Sequence, residues 1–169
     1  MNYFDLYEIP VSLQPNEKLV KQKFYALSRQ YHPDFYSNAS SEEQSDVLEK
    51  SSEINKAYKV FQSKDETIKY VLQQKGLLQE EEKYELPPAF LMDMLELSEQ
   101  MMEAKMDNDE DAKSSIEKQV DNVQNEIYDP VQTIIENYRE DITTEKELLQ
   151  VKDYYYKKKY LNRILAGMD

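Results

Sequence analysis

Cysteine is absent from this 169-residue chain. That excludes disulfides, zinc–thiolate sites and cysteine-held iron–sulfur clusters. Glycine occurs twice, at Gly76 and Gly167, and proline six times. So few breakers, among many Glu, Lys, Gln, Leu and Met, predict a nearly all-helical protein. No apolar run approaches the roughly 18 residues of a membrane span. The opening "MNYFDLYEIP" lacks a basic region followed by an apolar core, so it is not read as a signal peptide. A soluble cytoplasmic protein is the expectation.

Basic residues are also scarce, but unevenly. Residues 1–75 hold 10 Lys/Arg against 11 Asp/Glu, whereas residues 76–169 hold 11 against 23. Nearly all of the net charge of −13 therefore sits in the second half. Such a surface argues against nucleic acid, because phosphate contacts need basic residues. The halves are expected to meet different partners.

Helix signals divide the chain further. A short helix is predicted at Asn2–Tyr7. Asn16 is placed to cap a second, running to about Tyr31, with Val20, Phe24, Leu27 and Tyr31 on one face. Pro33 ends it, since a residue before proline avoids the α region. Either Ser40 with Glu43 or Ser41 with Gln44 opens the next helix as a capping box. Val47, Ile54, Ala57, Tyr58 and Phe61 form its buried stripe. Ser63 with Glu66 starts a fourth helix that Gly76 stops. Residues 77–87, "LLQEEEKYELP", read as a linker between a domain at 1–76 and one at 88–169. Pro88 suits the first turn of a helix reaching about Met106. Another begins near Asp109 and is expected to kink or break at Pro130. A last one runs from Thr144, boxed by Glu147, to about Gly167. The second half then reads as a three-helix bundle.

The only histidine stands in "RQYHPDFY", as His32-Pro33-Asp34. A catalytic His–Asp pair needs a nucleophile or a metal-bound water, with the aspartate turned toward the imidazole. Pro33 restricts that geometry, and no serine is obviously placed. A helical di-metal site draws on two Glu-x-x-His pairs, which one histidine cannot supply. Catalysis is therefore disfavoured, and neither cofactor nor metal is expected. The plain alternative is a helix stop and loop start. The position at an exposed tip between two long helices favours recognition instead. On the preceding helix Lys18, Lys21, Gln22, Tyr25 and Arg29 lie opposite the Phe24/Leu27 face. They form a strip that suits an acidic groove, or simply a solvated helix face.

The second informative stretch is "PAFLMDMLELSEQMMEAKM". At about 100° per residue, Met92, Glu96, Glu99 and Glu103 share a stripe about 60° wide. Carboxylates at these spacings repel, at about 0.2–0.5 kcal/mol per pair, so helix stability alone does not favour them. The stripe reads as a solvated face or as a docking face for a basic protein surface, with Met92 and Leu91 as apolar anchors. Leu91, Met94, Leu95, Ser98, Met101 and Met102 read as a different face, suited to the bundle core.

"YHPD" between two helices, followed by "INKAYKVFQSKDETIKY", resembles a J-domain, in which a His-Pro-Asp occupies the loop between the second and third helices. "FLMDMLELSEQ" and the start "NYFDLYEIP" resemble the HscB family, J-type co-chaperones of iron–sulfur cluster assembly. The likeness runs over essentially the whole chain. It implies an all-α fold: a J-domain, built as an antiparallel helical hairpin with short flanking helices, then a C-terminal three-helix bundle. It implies that the chain is no enzyme. His32, Pro33 and Asp34, with Arg29, Tyr25, Lys21 and Lys18, would engage a DnaK/HscA-class 70-kilodalton heat-shock chaperone and trigger its ATPase. Leu91, Met92, Glu96, Glu99 and Glu103 would bind an IscU-like scaffold. Tyr160, placed by "KKYLNRI", would add an aromatic from the last helix. Tyr25 and Ala26 depart from the family by standing where basic residues are common. Two other readings are a J-domain protein for a different client and a purely structural helical protein.

Overall fold

The computed structural model describes residues 2–167, and every regular element in them is helical. Its eight α-helices are α1 (Tyr3–Tyr7), α2 (Glu17–Gln30), α3 (Ser41–Gln62), α4 (Lys64–Gln74), α5 (Pro88–Asp107), α6 (Glu110–Tyr128), α7 (Gln132–Glu136) and α8 (Glu145–Ala166). Short 3-10 turns lie at Pro33–Tyr36 and Asp129–Val131. Among the described residues no helix is long and apolar enough to cross a membrane. The chain divides into two compact units. One comprises the residues up to Lys75 together with Tyr138–Ile142, and the other comprises Gly76–Asn137 and the chain from Thr143.

Capping residues set most helix starts. The Asn2 side chain accepts from the Asp5 amide, and Asp5 returns the bond to the Asn2 amide. Asn16 accepts from the Leu19 amide, and Ser63 from the Glu66 amide. Of the two predicted boxes for α3, the structure uses Ser40, whose hydroxyl accepts from the Glu43 amide. Gln44 instead donates to the carbonyls of Ser37 and Ala39, closing the loop before the helix. Thr144 and Glu147 form a complete box at α8. Each device satisfies amides that the first helical turn leaves without partners.

In the first unit, α2 and α3 form the hairpin. Phe24 of α2 stacks on Tyr58 of α3 with ring centroids 3.9 Å apart. Beneath them Phe4 and Tyr7 of α1 pack on Phe61, at 5.1 and 5.0 Å. The buried Tyr7 hydroxyl donates to the Ile54 carbonyl at 2.7 Å. Burial raises the pKa of that phenol. Lys75 pairs with Glu140, which also accepts from the Tyr138 hydroxyl at 2.6 Å.

In the second unit, Met94, Leu97, Met101 and Ala104 of α5 meet Ile116 and Val120 of α6 and Leu161 of α8. Burial of this kind is the main stabilising term in a thin bundle, at about 25 cal/mol per Å² of apolar surface. Pro130 breaks the middle helix as expected. Having no amide hydrogen, it cannot continue the α ladder, so α6 passes through a 3-10 turn into α7. Residues read as a linker are fastened to α8. Glu82 pairs with Lys152 at 2.6 Å, and Tyr84 donates to Asp153 at 2.9 Å. The Tyr84 ring stacks on Tyr156 with centroids 4.5 Å apart.

Candidate functional site

Two surfaces carry the residues singled out by the sequence, one on each unit. The first begins where α2 ends. Its last turn is closed by the Tyr31 amide bonding to the Leu27 carbonyl. His32 is extended, at φ −71° and ψ 126°, as the following proline demands. Pro33 opens the 3-10 turn, where its missing amide hydrogen costs nothing.

The turn is braced by its own residues. The Asp34 amide donates to His32 Nδ1 at 3.2 Å, and the Phe35 amide to the His32 carbonyl at 3.1 Å. His32 thus does the work of an N-cap, with an imidazole nitrogen in place of a hydroxyl or amide oxygen. Because Nδ1 accepts, the neutral ring carries its proton on Nε2, and that N–H is left as a donor. The Asp34 carboxylate lies 3.6 Å from Nδ1. The Tyr36 hydroxyl donates to the Gln30 carbonyl at 3.0 Å, satisfying an acceptor at the end of α2.

All of this lies on the surface. His32, Pro33 and Asp34 are exposed, as are Lys18, Lys21, Tyr25 and Arg29 on α2. Phe35 is 74% exposed and sits edge-on to His32, with ring centroids 5.8 Å apart. Sequence reading passed over it. The signal was present, because an aromatic directly after His-Pro-Asp has no helical face to join. The turn is fixed by several bonds, and none of its residues is buried. Among the described residues no group of three or more His, Cys, Asp or Glu side chains is placed to hold a metal ion.

The second surface is on α5. Met92 is 65% exposed, and Glu96, Glu99 and Glu103 are exposed beside it, as the stripe predicted. Ion pairs at Lys113–Glu110, Lys152–Glu82 and Lys157–Asp153 lie away from the stripe. None of them involves the three stripe glutamates. Tyr160 of α8 is half-buried, edge-on to Phe90 at 6.3 Å and packed on the bundle core.

One expectation for α5 is corrected. Met94 and Met101 are buried as read, but Leu91, Leu95 and Met102 are exposed, and so is Met106. The core is entered instead by Leu97 and Ala104, opposite the acidic stripe. On the wheel the true core face is centred about 160° from Met92, about 80° from the face first drawn. The first face followed the apolar residue types. The second follows from which side of α5 meets α6 and α8.

Comparison with known proteins agrees with both halves. A family described as "DnaJ domain" matches residues 2–70, and one described as "HSCB C-terminal oligomerisation domain" matches residues 86–169. The chain is similar to a "Co-chaperone protein HscB homolog" of Vibrio atlanticus, with 30% identity over 139 residues and 81% of each chain covered. Among solved structures it resembles human co-chaperone protein HscB, with a TM-score of 0.82 and 26% identity. That match covers 99% of this chain and 80% of the other. Chaperone HscB from Vibrio cholerae matches with a TM-score of 0.78 and 24% identity, over 99% and 95% of the two chains.

Proposed function

Because this chain belongs to the HscB family of co-chaperones, we propose that it couples two proteins: a DnaK/HscA-class 70-kilodalton chaperone and an IscU-like iron–sulfur scaffold. The chain performs no chemistry of its own. His32, Pro33 and Asp34 meet the chaperone and stimulate its ATPase. Lys18, Lys21, Tyr25 and Arg29 form the face that orients the encounter. The exposed, self-braced turn carries this reading. Its bonds pre-pay the ordering of a loop that no core requires, which is how a recognition element gains affinity. The basic strip acts mainly on orientation and association rate, so its contribution weakens with added salt.

Leu91, Met92, Glu96, Glu99 and Glu103 receive the scaffold, with Tyr160 contributing from α8. Exposed carboxylates at repelling spacings, flanking an exposed methionine, support a basic partner with an apolar contact at its centre. Holding both partners on one chain raises the effective concentration of scaffold at the chaperone.

The test has two arms. Chaperone ATPase is measured with the wild-type chain and with His32→Gln, which is expected to leave only the basal rate. Undiminished stimulation would sink the chaperone reading. Scaffold binding is measured with Glu96, Glu99 and Glu103 each changed to Lys. Unchanged affinity with an intact fold would leave the stripe as solvated surface and point to another client.

A further inference from the structure

Among the described residues, half of the exposed large hydrophobic side chains lie on one helix. Leu91, Met92, Leu95, Met102 and Met106 of α5 are exposed, against none on α6 and Leu149 alone on α8. Leu91, Leu95, Met102 and Met106 are 37%, 52%, 65% and 80% exposed, rising toward the C-terminal end of the helix. Their spacing puts them on a seam about 60° wide and about 22 Å long. A helix face selected only for solubility carries polar residues there, as α6 does.

The seam does not stand apart from the acidic stripe. Met102 is three residues from Glu99, and Met106 is three from Glu103, so each pair is adjacent on the helix surface. The centres of seam and stripe differ by about 80°, which on a helix about 5 Å in radius is about 7 Å. A protein that pairs its basic groups with Glu99 and Glu103 therefore covers Met102 as well. Methionine suits such a contact, since its unbranched thioether adapts to irregular apolar surfaces.

We propose that Met102 and Met106 extend the scaffold-docking face toward the C-terminal end of α5. The partner there has a basic surface bordered by an apolar patch, and the two parts rest on the stripe and the seam. This rests on the stripe reading above and carries its apolar part, begun at Leu91 and Met92, on to the end of α5. Docking then keeps a salt-independent component and shows a negative heat-capacity change.

The experiment compares the full-length chain with two variants, Met102→Gln/Met106→Gln and the triple Glu-to-Lys reversal. Glutamine keeps side-chain length and helix propensity, so the fold is retained; circular dichroism and thermal unfolding check this. The probe is the purified metal-free IscU-like scaffold, titrated calorimetrically at low and high salt. The methionine variant is expected to bind at least about tenfold more weakly, as for loss of an interface hot spot. Its salt dependence is expected to be unchanged and its heat-capacity change less negative. If only the charge reversal weakens binding, the seam proposal is overturned and the stripe reading stands. If neither variant weakens it, both fall. If the methionine variant alters only self-association in sedimentation, the seam takes a second copy of this chain and the proposal is again overturned.

Discussion

The Asp34 amide donates to Nδ1 of His32 across 3.2 Å, so the histidine caps the turn that displays it. One ring nitrogen is used internally, and in the neutral ring the other carries the hydrogen and is not used by the turn. These two roles separate by substitution. In His32→Asn the side-chain oxygen occupies nearly the position of Nδ1 and accepts from the same amide, but the Nε2 donor is gone. Thermal stability is then expected within about 0.5 kcal/mol of wild type, as for an exposed site. Chaperone ATPase stimulation is expected to fall to the basal rate. An active His32→Asn chain would show that the histidine matters only as a cap.

Two leucines two positions apart on α5 are expected to respond very differently. Leu97 is buried against α6 and α8, and Leu95 is exposed. Leu97→Ala leaves a cavity and is expected to cost about 2–5 kcal/mol in denaturant unfolding. Leu95→Ala is expected to change stability by less than about 0.5 kcal/mol. Equal losses would mean that the seam is part of the bundle core.

This contrast marks where sequence reading stopped. Asn16 and Thr144 were legible as caps because the physics of a cap is local, needing one oxygen and an amide three residues on. Pro130 was legible as a break for the same reason. The core face of α5 was misplaced because hydrophobic periodicity reports apolar residues, not what they touch. A docking seam and a core face look alike until the neighbouring helices are in place. The capping role of His32 was hidden because histidine is not a usual cap residue. The fastening of Glu82 and Tyr84 was hidden because their partners on α8 lie some seventy positions away. The acidic stripe was legible because its carboxylates work against helix stability on any reading.

The capping box of α8 yields a stability prediction. The Thr144 hydroxyl accepts from the Glu147 amide at 3.1 Å, and the Glu147 carboxylate accepts from the Thr144 amide at 3.0 Å. Thr144→Ala removes the first bond and leaves an amide of the opening turn without its partner. The expected cost is about 0.5–2 kcal/mol by denaturant unfolding, with chaperone stimulation unchanged. A larger loss would mean that the start of α8 supports more than its own first turn.

The fastening of residues 82–84 to α8 is expected to fail at both ends of the pH scale. The Lys152 ammonium hydrogen-bonded to Glu82, helped by the Gln79 amide, holds that carboxyl below the usual glutamate range. A depressed acid contributes stability that is full above its unfolded pKa and is lost as pH falls through the folded value. On the alkaline side, burial first, and then the bond to Asp153, push the Tyr84 phenol up to about 12. A raised phenol contributes stability that is full below the ordinary tyrosine value near 10 and is lost as pH rises through the folded one. The segment is therefore expected to be fastened across the neutral range and to loosen in acid below the ordinary glutamate range and in alkali above about 10. Backbone exchange at Glu82–Tyr84, converted to opening free energies at each pH, reads this directly. Lys152→Ala is expected to remove the acid limb and Tyr84→Phe the alkaline limb, each leaving the other in place. A wild-type profile flat from acid to alkali would show that stacking of Tyr84 on Tyr156, with no titrating group, holds the segment alone.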